Sequence, residues 1–159
     1  MTASQRAFRL LKQRGETVCF AESLTGGLIA ATFIENPGAS SAIGESYVTY
    51  AEEAKVRLLG VSRHTLETEG VVSAACAQQM AAGARRRSGA HWGVSATGIA
   101  GPDGGSEEKP VGTVFIGVSC AAKTIARECH FGGDRMEVRR QAVCAALNAL
   151  SECMEETDV

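Results

Sequence analysis

The sequence predicts an α/β fold: a three-layer α/β/α sandwich built on a mostly parallel mixed sheet of about five strands, one of them antiparallel. Two patterns carry this. Apolar runs of strand length alternate with longer stretches of helical length over most of the chain. Near the end, two strand-like runs, Thr113–Ser119 and Thr124–Phe131, are separated only by Cys120–Lys123. That connection is too short for a parallel crossover and suits a hairpin.

Residues 3–14 predict a helix, with Phe8, Leu10 and Leu11 on its apolar face and Gly15 as its stop. Thr17–Ala21 is a short apolar run expected as a buried strand, and Ser23-Leu24-Thr25-Gly26-Gly27 punctuates it. Leu28–Glu35 follows at helical length and is ended by Asn36-Pro37-Gly38. Tyr47–Tyr50, aromatic and β-branched, predicts a second strand that runs into a helix over Glu52–Leu59, closed by Gly60. Ser62 and Ser73 read as N-caps. Ser73 opens an Ala-rich helix to about Arg87 whose small side chains permit close approach to a sheet. Trp92–Thr97 is a third strand, Gly98–Gly112 a glycine-rich loop, and the hairpin leads to a final helix from about Arg135 to Met154.

Composition narrows the function. At 159 residues, 45% hydrophobic and 21% charged, the chain fits one globular domain over residues 1–159 with core enough to fold without staples. A net charge of −2 excludes a bulk electrostatic grip on nucleic acid or anionic membrane. Five Phe, two Tyr and one Trp leave little for base stacking. No apolar stretch approaches the roughly 18 residues of a membrane span, and Arg6, Arg9, Lys12 and Arg14 interrupt the opening segment where a secretory signal would be apolar. A cytoplasmic location is expected. The six cysteines (Cys19, Cys76, Cys120, Cys129, Cys144 and Cys153) form no C-x-x-C pair and no zinc spacing, so they read as reduced core thiols, with no metal and no cofactor expected. The expected partner is a small molecule, not nucleic acid or membrane, and a homo-oligomer (dimer or higher) is expected.

In open α/β sheets, ligands sit beyond the carboxyl ends of the parallel strands, and Ser23, Tyr50 and Thr97 all fall at such ends. Ser23 precedes Gly26-Gly27 at a helix start, a place suited to an oxyanion-forming nucleophile or a phosphate, and equally to a plain N-cap serine. It is not a nucleophile elbow, because Ala21 and Thr25 stand where G-x-S-x-G needs glycine. His64, His91 and His130 read as surface or packing residues. The stronger base is Lys55, provided burial or nearby cations depress its pKa; the bland reading is a solvated lysine paired to Glu52 or Glu53. Tyr50 is either a proton relay or core. The Gly98–Gly112 tract is neither G-x-G-x-x-G nor a Walker loop, yet its glycines, including Gly98, Gly101, Gly104 and Gly105, let backbone amides approach a phosphate. Lys109 and the Thr97 hydroxyl add contacts there. Asp134 is a natural N-cap, whereas Arg135 in the first turn opposes the helix dipole and so suggests an anion binder.

Ala21-Glu22-Ser23 with Thr25-Gly26-Gly27, Val48-Thr49-Tyr50 with Glu53-Ala54-Lys55, the tract from Thr97 to Gly112, and Gly133-Asp134-Arg135 together resemble the CinA C-terminal domain family over about residues 5–155. That resemblance implies a stand-alone nicotinamide-nucleotide amidohydrolase, converting nicotinamide mononucleotide to nicotinate mononucleotide and ammonia. It implies Ser23 as nucleophile, Lys55 as its base and Tyr50 assisting. Backbone amides near Thr25, Gly26 and Gly27 would hold the oxyanion. Thr97, the Gly98–Gly105 loop, Lys109 and Arg135 would surround the nucleotide. Leu24 stands where the family commonly has cysteine, and Gly132 replaces a frequent serine. A non-catalytic nucleotide-binding or sensing module of the same fold is the alternative; an interaction domain of DNA uptake fits the acidic pI poorly.

Overall fold

In the computed structural model, which describes residues 1–158, the elements follow in the order α1 (Ala3–Arg14), β1 (Val18–Glu22), α2 (Leu28–Phe33), β2 (Tyr47–Val48), α3 (Glu52–Leu59), α4 (Arg63–Thr68), α5 (Ala74–Ser88), β3 (Trp92–Gly98), β4 (Thr113–Ser119), β5 (Thr124–His130) and α6 (Arg135–Glu156), with a 3-10 turn at Ala39–Ser41. The five strands lie in the order β2-β1-β3-β4-β5. β1 pairs in parallel with β2 and β3, and β4 is antiparallel to both β3 and β5, so β4 alone runs against the others.

Side-chain alternation assigns each strand residue to a layer. Val18 and Phe20 of β1 enter the cluster beneath α1, α2 and α6, with Leu11, Ile29, Phe33 and Leu150. Cys19 and Ala21 face the opposite cluster, with Leu59 of α3 and Cys76 and Met80 of α5. Phe20 and Phe33 meet edge to face at 5.6 Å between centroids, and burying each ring contributes about 1.5–3 kcal/mol. This anchoring fixes β1 and hence the residue that leaves it, Ser23. The Ala-rich α5 lies close on the sheet: a Cβ on Gly93 would fall 2.0 Å from Ala81 O, and one on Gly117 would fall 2.3 Å from Ala77 O.

Topology brings the chemistry to one end of the sheet. β1, β2 and β3 finish there, and the Gly98–Gly112 loop begins and ends there because Gly98 pairs with Val114. β5 finishes there too, since Thr113 pairs with His130, and it delivers Asp134 and α6 to the same end.

Several expected boundaries shift. The second strand stops at Val48, because the chain turns at Thr49 and Tyr50 into α3; only the Thr49 N–H still reaches across, to Glu22 O at 2.9 Å. The helix expected over Leu28–Glu35 ends at Phe33, and the last helix continues past Met154 to Glu156. The expected caps form at Ser62, Ser73 and Asp134. Ser23 is not the cap of α2; Gly27 holds that position and offers no side chain. Cys19, Cys76 and Cys153 are buried as expected, Cys120 and Cys129 are half-buried, and Cys144 is exposed because it lies on the solvent side of α6. No helix among the described residues is long and apolar enough to cross a membrane.

Candidate functional site

Lys55 is the anomaly from which the site is built. Within α3, Lys55 and Leu59 lie four residues apart on the inward face, while Glu53 pairs with Arg63 on the outward one. Lys55 is therefore 0% exposed and is not the solvated partner of Glu52 or Glu53. Burial pushes its pKa below the ordinary lysine value, opposed only in part by the charge of Glu52 and, where it ionises, of Cys76, whose thiol burial pushes up to about 11.

Its Nζ has three neighbours: Ser23 Oγ at 2.9 Å, Thr49 O at 2.5 Å and Tyr50 O at 3.3 Å. Two of these are carbonyls, which only accept. A neutral amine spends its two N–H groups on them and is left with its lone pair on the side of Ser23 Oγ, which can donate. The protonated amine donates to all three. The bend between β2 and α3 supplies both carbonyls, so the early end of β2 is what builds this arrangement.

Ser23 follows β1 directly and keeps one sheet contact, its N–H donating to Ala96 O of β3 at 3.0 Å. The Gly26 N–H closes a turn onto Ser23 O at 3.1 Å, leaving the Leu24, Thr25 and Gly27 N–H groups without a partner among the described residues. The amide of Gly26, expected at the oxyanion, is thus already engaged. The N-terminus of α2 is not open to an anion either: the buried Glu22 carboxylate accepts from Ile29 N at 2.8 Å and Ala30 N at 3.0 Å.

Beside Ser23 lies a cleft of about 220 Å³ lined by Leu24, Tyr50, Thr97, Gly98 and Arg135. It adjoins a second lobe of about 490 Å³ walled by the glycine-rich loop, including Gly98, Gly101, Gly104 and Lys109. Arg135 lines both lobes and spans them, donating to Gly101 O at 2.8 Å and Tyr50 OH at 3.2 Å. Tyr50 is 63% exposed, not core, and its phenol serves Arg135, whereas its carbonyl serves Lys55. The Thr97 hydroxyl donates to Val71 O at 2.9 Å, and Lys109 Nζ to Glu69 O at 2.9 Å, so both tie the cleft wall together. Gly101, at φ +84°, lies where a Cβ would meet Val111 Cγ1 at 2.4 Å, which keeps that loop against its own base.

Thr25, Gly26, Gly27 and Gly105 do not line either lobe. The Thr25 hydroxyl is buried without a partner among the described residues, and Gly105 packs on Val111. No histidine lines the cleft beside Ser23; His91 Nδ1 accepts from Thr17 N at 3.1 Å, and His130 lies near Glu128. No group of three or more His, Cys, Asp or Glu with metal-binding geometry occurs among the described residues.

The model of the CinA C-terminal domain matches residues 1–154 of this chain. The chain belongs to the CinA C-terminal domain family. It is 49% identical over 140 residues to a CinA-like protein of Anaeromyxobacter sp. (strain K), covering 88% of this chain and 34% of that protein. It is 44% identical over 143 residues to a CinA-like protein of Fervidobacterium nodosum, covering 90% and 35%. This CinA domain therefore spans about a third of the length of these curated relatives. Among solved structures, a CinA superfamily protein from Klebsiella pneumoniae superposes with a TM-score of 0.93 at 34% identity, covering 97% of this chain and 96% of that one. The competence/damage inducible protein CihA from Agrobacterium tumefaciens gives 0.90 at 40% identity, covering 96% and 95%.

Sequence reasoning missed two residues of the CinA site. Glu22 ends an otherwise apolar strand, and a carboxylate at a fully buried position was the available signal. Arg139 donates to Leu24 O at 2.9 Å and Thr25 O at 3.1 Å, and its signal was the spacing of four from Arg135 on one helix face.

Proposed function

We propose that this CinA domain hydrolyses the carboxamide of nicotinamide mononucleotide, releasing ammonia and nicotinate mononucleotide. The observation that carries the reading is the buried Lys55 Nζ, 2.9 Å from Ser23 Oγ with its other hydrogens committed to two carbonyls. Neutral Lys55 takes the Ser23 proton as Oγ forms a bond to the carboxamide carbon. The resulting oxyanion is met by the free N–H groups of Leu24 and Thr25, such donors being worth about 3–4 kcal/mol each. Lys55 then returns its proton to the amide nitrogen, the C–N bond breaks and ammonia leaves. Water attacks the Ser23 ester, Lys55 accepts the water's proton, and Ser23 Oγ is reprotonated as the carboxylate departs.

The cleft fits this order of parts. The ring amide sits in the smaller lobe beside Ser23, and the phosphate reaches Arg135 and the glycine loop, with Tyr50 and Thr97 on the walls between. Ammonia release from nicotinamide mononucleotide by purified protein, with EDTA present, tests the reading. Steady release that disappears in Ser23→Ala supports it. Tight nucleotide binding without release points instead to a binding or sensing module.

A further inference from the structure

The Ser23 turn is braced from α6. One half-buried guanidinium, that of Arg139, spans two successive carbonyls, Nε to Leu24 O at 2.9 Å and Nη2 to Thr25 O at 3.1 Å. It lies 3.6 Å from where a Cβ on Gly26 would be. The planar fork thereby fixes two neighbouring peptide planes at once.

A trans peptide carries its C=O and N–H on opposite edges. The Leu24–Thr25 peptide is held by its oxygen, so its Thr25 N–H is turned to the side away from Arg139. The Ser23–Leu24 peptide is likewise held by its oxygen, through Gly26 N at 3.1 Å, so its Leu24 N–H is turned away from that bond. These two N–H groups are the unpartnered ones nearest the nucleophile along the chain, the Gly27 N–H being the other free amide of the turn among the described residues. Backbone donors in buried turns are ordinarily paired, so two neighbouring free ones, Leu24 lining the cleft and Thr25 the next residue behind it, mark a place that a ligand oxygen completes. A carbonyl held by a cation also polarises its peptide, which strengthens the N–H as a donor.

We propose that Arg139 is a positioning residue for amide hydrolysis: it holds the Leu24 and Thr25 carbonyls so that the Leu24 and Thr25 amides meet the oxyanion formed at Ser23. This rests on the reading of Ser23 as nucleophile. The substrate carbonyl is nearly neutral and the tetrahedral oxyanion is charged, so the effect falls on kcat and not on KM.

The test uses the full chain as Arg139→Lys and Arg139→Ala, with two readouts. One is kcat and KM for ammonia release from nicotinamide mononucleotide. The other is the rate at which a fluorophosphonate labels Ser23, a step that forms the Oγ–P bond, expels fluoride and passes the serine proton to Lys55. The expected result is a kcat lowered about tenfold to a hundredfold in both variants, since a donor is misaimed and not removed. KM should change less than about threefold, labelling should slow in parallel, and kcat in Arg139→Ala should be partly rescued by millimolar methylguanidinium. The pH at which activity rises, set by Lys55, stays put. Unchanged kcat and labelling in a folded Arg139→Lys overturn the inference, as does a loss carried by KM alone. If the wild type is labelled but releases no ammonia, the amide substrate is wrong and the labelling rates alone decide Arg139. If the wild type is neither labelled nor active, Ser23 is not a nucleophile and both readings fall.

Discussion

Replacing Lys55 with methionine separates the base from its bulk. A chain of similar length stays in the slot, but the contacts to Ser23 Oγ, Thr49 O and Tyr50 O are lost. Amide hydrolysis should fall by about 10²–10⁴-fold, the usual contribution of a general base, or about 3–5 kcal/mol of barrier. Stability responds differently. Burial holds the Lys55 pKa below its ordinary 10.5. Between the lowered folded value and the unfolded one, the unfolded chain carries a proton that the folded chain does not. Wild-type stability therefore rises with pH through that window, at up to about 1.4 kcal/mol per pH unit. Below the folded pKa the slope vanishes, and the whole cost of a buried ammonium is present. The methionine variant has no such slope, so its stability relative to wild type is greatest at low pH and declines as pH climbs towards 10.5. The carbonyls of Thr49 and Tyr50 left unpaired add a cost of about 1–3 kcal/mol each, which moves the difference curve without changing its shape. Urea midpoints of both proteins across the neutral to alkaline range measure this, alongside kcat/KM, which in wild type should rise with pH through the lowered pKa. Parallel stability curves, or undiminished ammonia release by the variant, would refute the reasoning.

Ser23→Ala should abolish ammonia release while leaving the thermal midpoint and nucleotide affinity near wild type, because Ser23 keeps its backbone bond to Ala96; near-normal turnover removes it from the nucleophile's role. Arg135→Ala should cost roughly 2–3 kcal/mol, or about 30- to 150-fold in kcat/KM, for the mononucleotide, and little for the riboside that lacks the phosphate. Equal losses on the two substrates would show that Arg135 instead holds Tyr50 and Gly101 in place. Glu22→Ala leaves the buried Ile29 amide and the partly buried Ala30 amide unpaired and should destabilise the fold by about 2–4 kcal/mol; an unchanged urea midpoint would mean that water replaces the carboxylate.

What the sequence by itself determined is what short-range forces determine. Capping is a contact of three residues, so Ser62, Ser73 and Asp134 announced their helices. The brief Cys120–Lys123 link could only join antiparallel neighbours, and it does, with β4 as the reversed strand. The presence of Ser23, Tyr50, Thr97 and Arg135 at one end of the sheet followed from strand order along the chain. Tertiary structure decided the state of each polar group, because that depends on atoms far away in sequence. Lys55 in Glu52-Glu53-Ala54-Lys55 has the local look of a surface lysine, and only the packing of α3 against β1 and α5 removes its water and brings Ser23, 32 positions away, to its amine. Glu22 became a helix cap instead of a surface charge because α2 folds back over the end of β1. Arg139 became the brace of the Ser23 turn through contacts spanning 115 and 114 positions, a distance over which local pattern carries no information and the packing of α6 beside α2 decides.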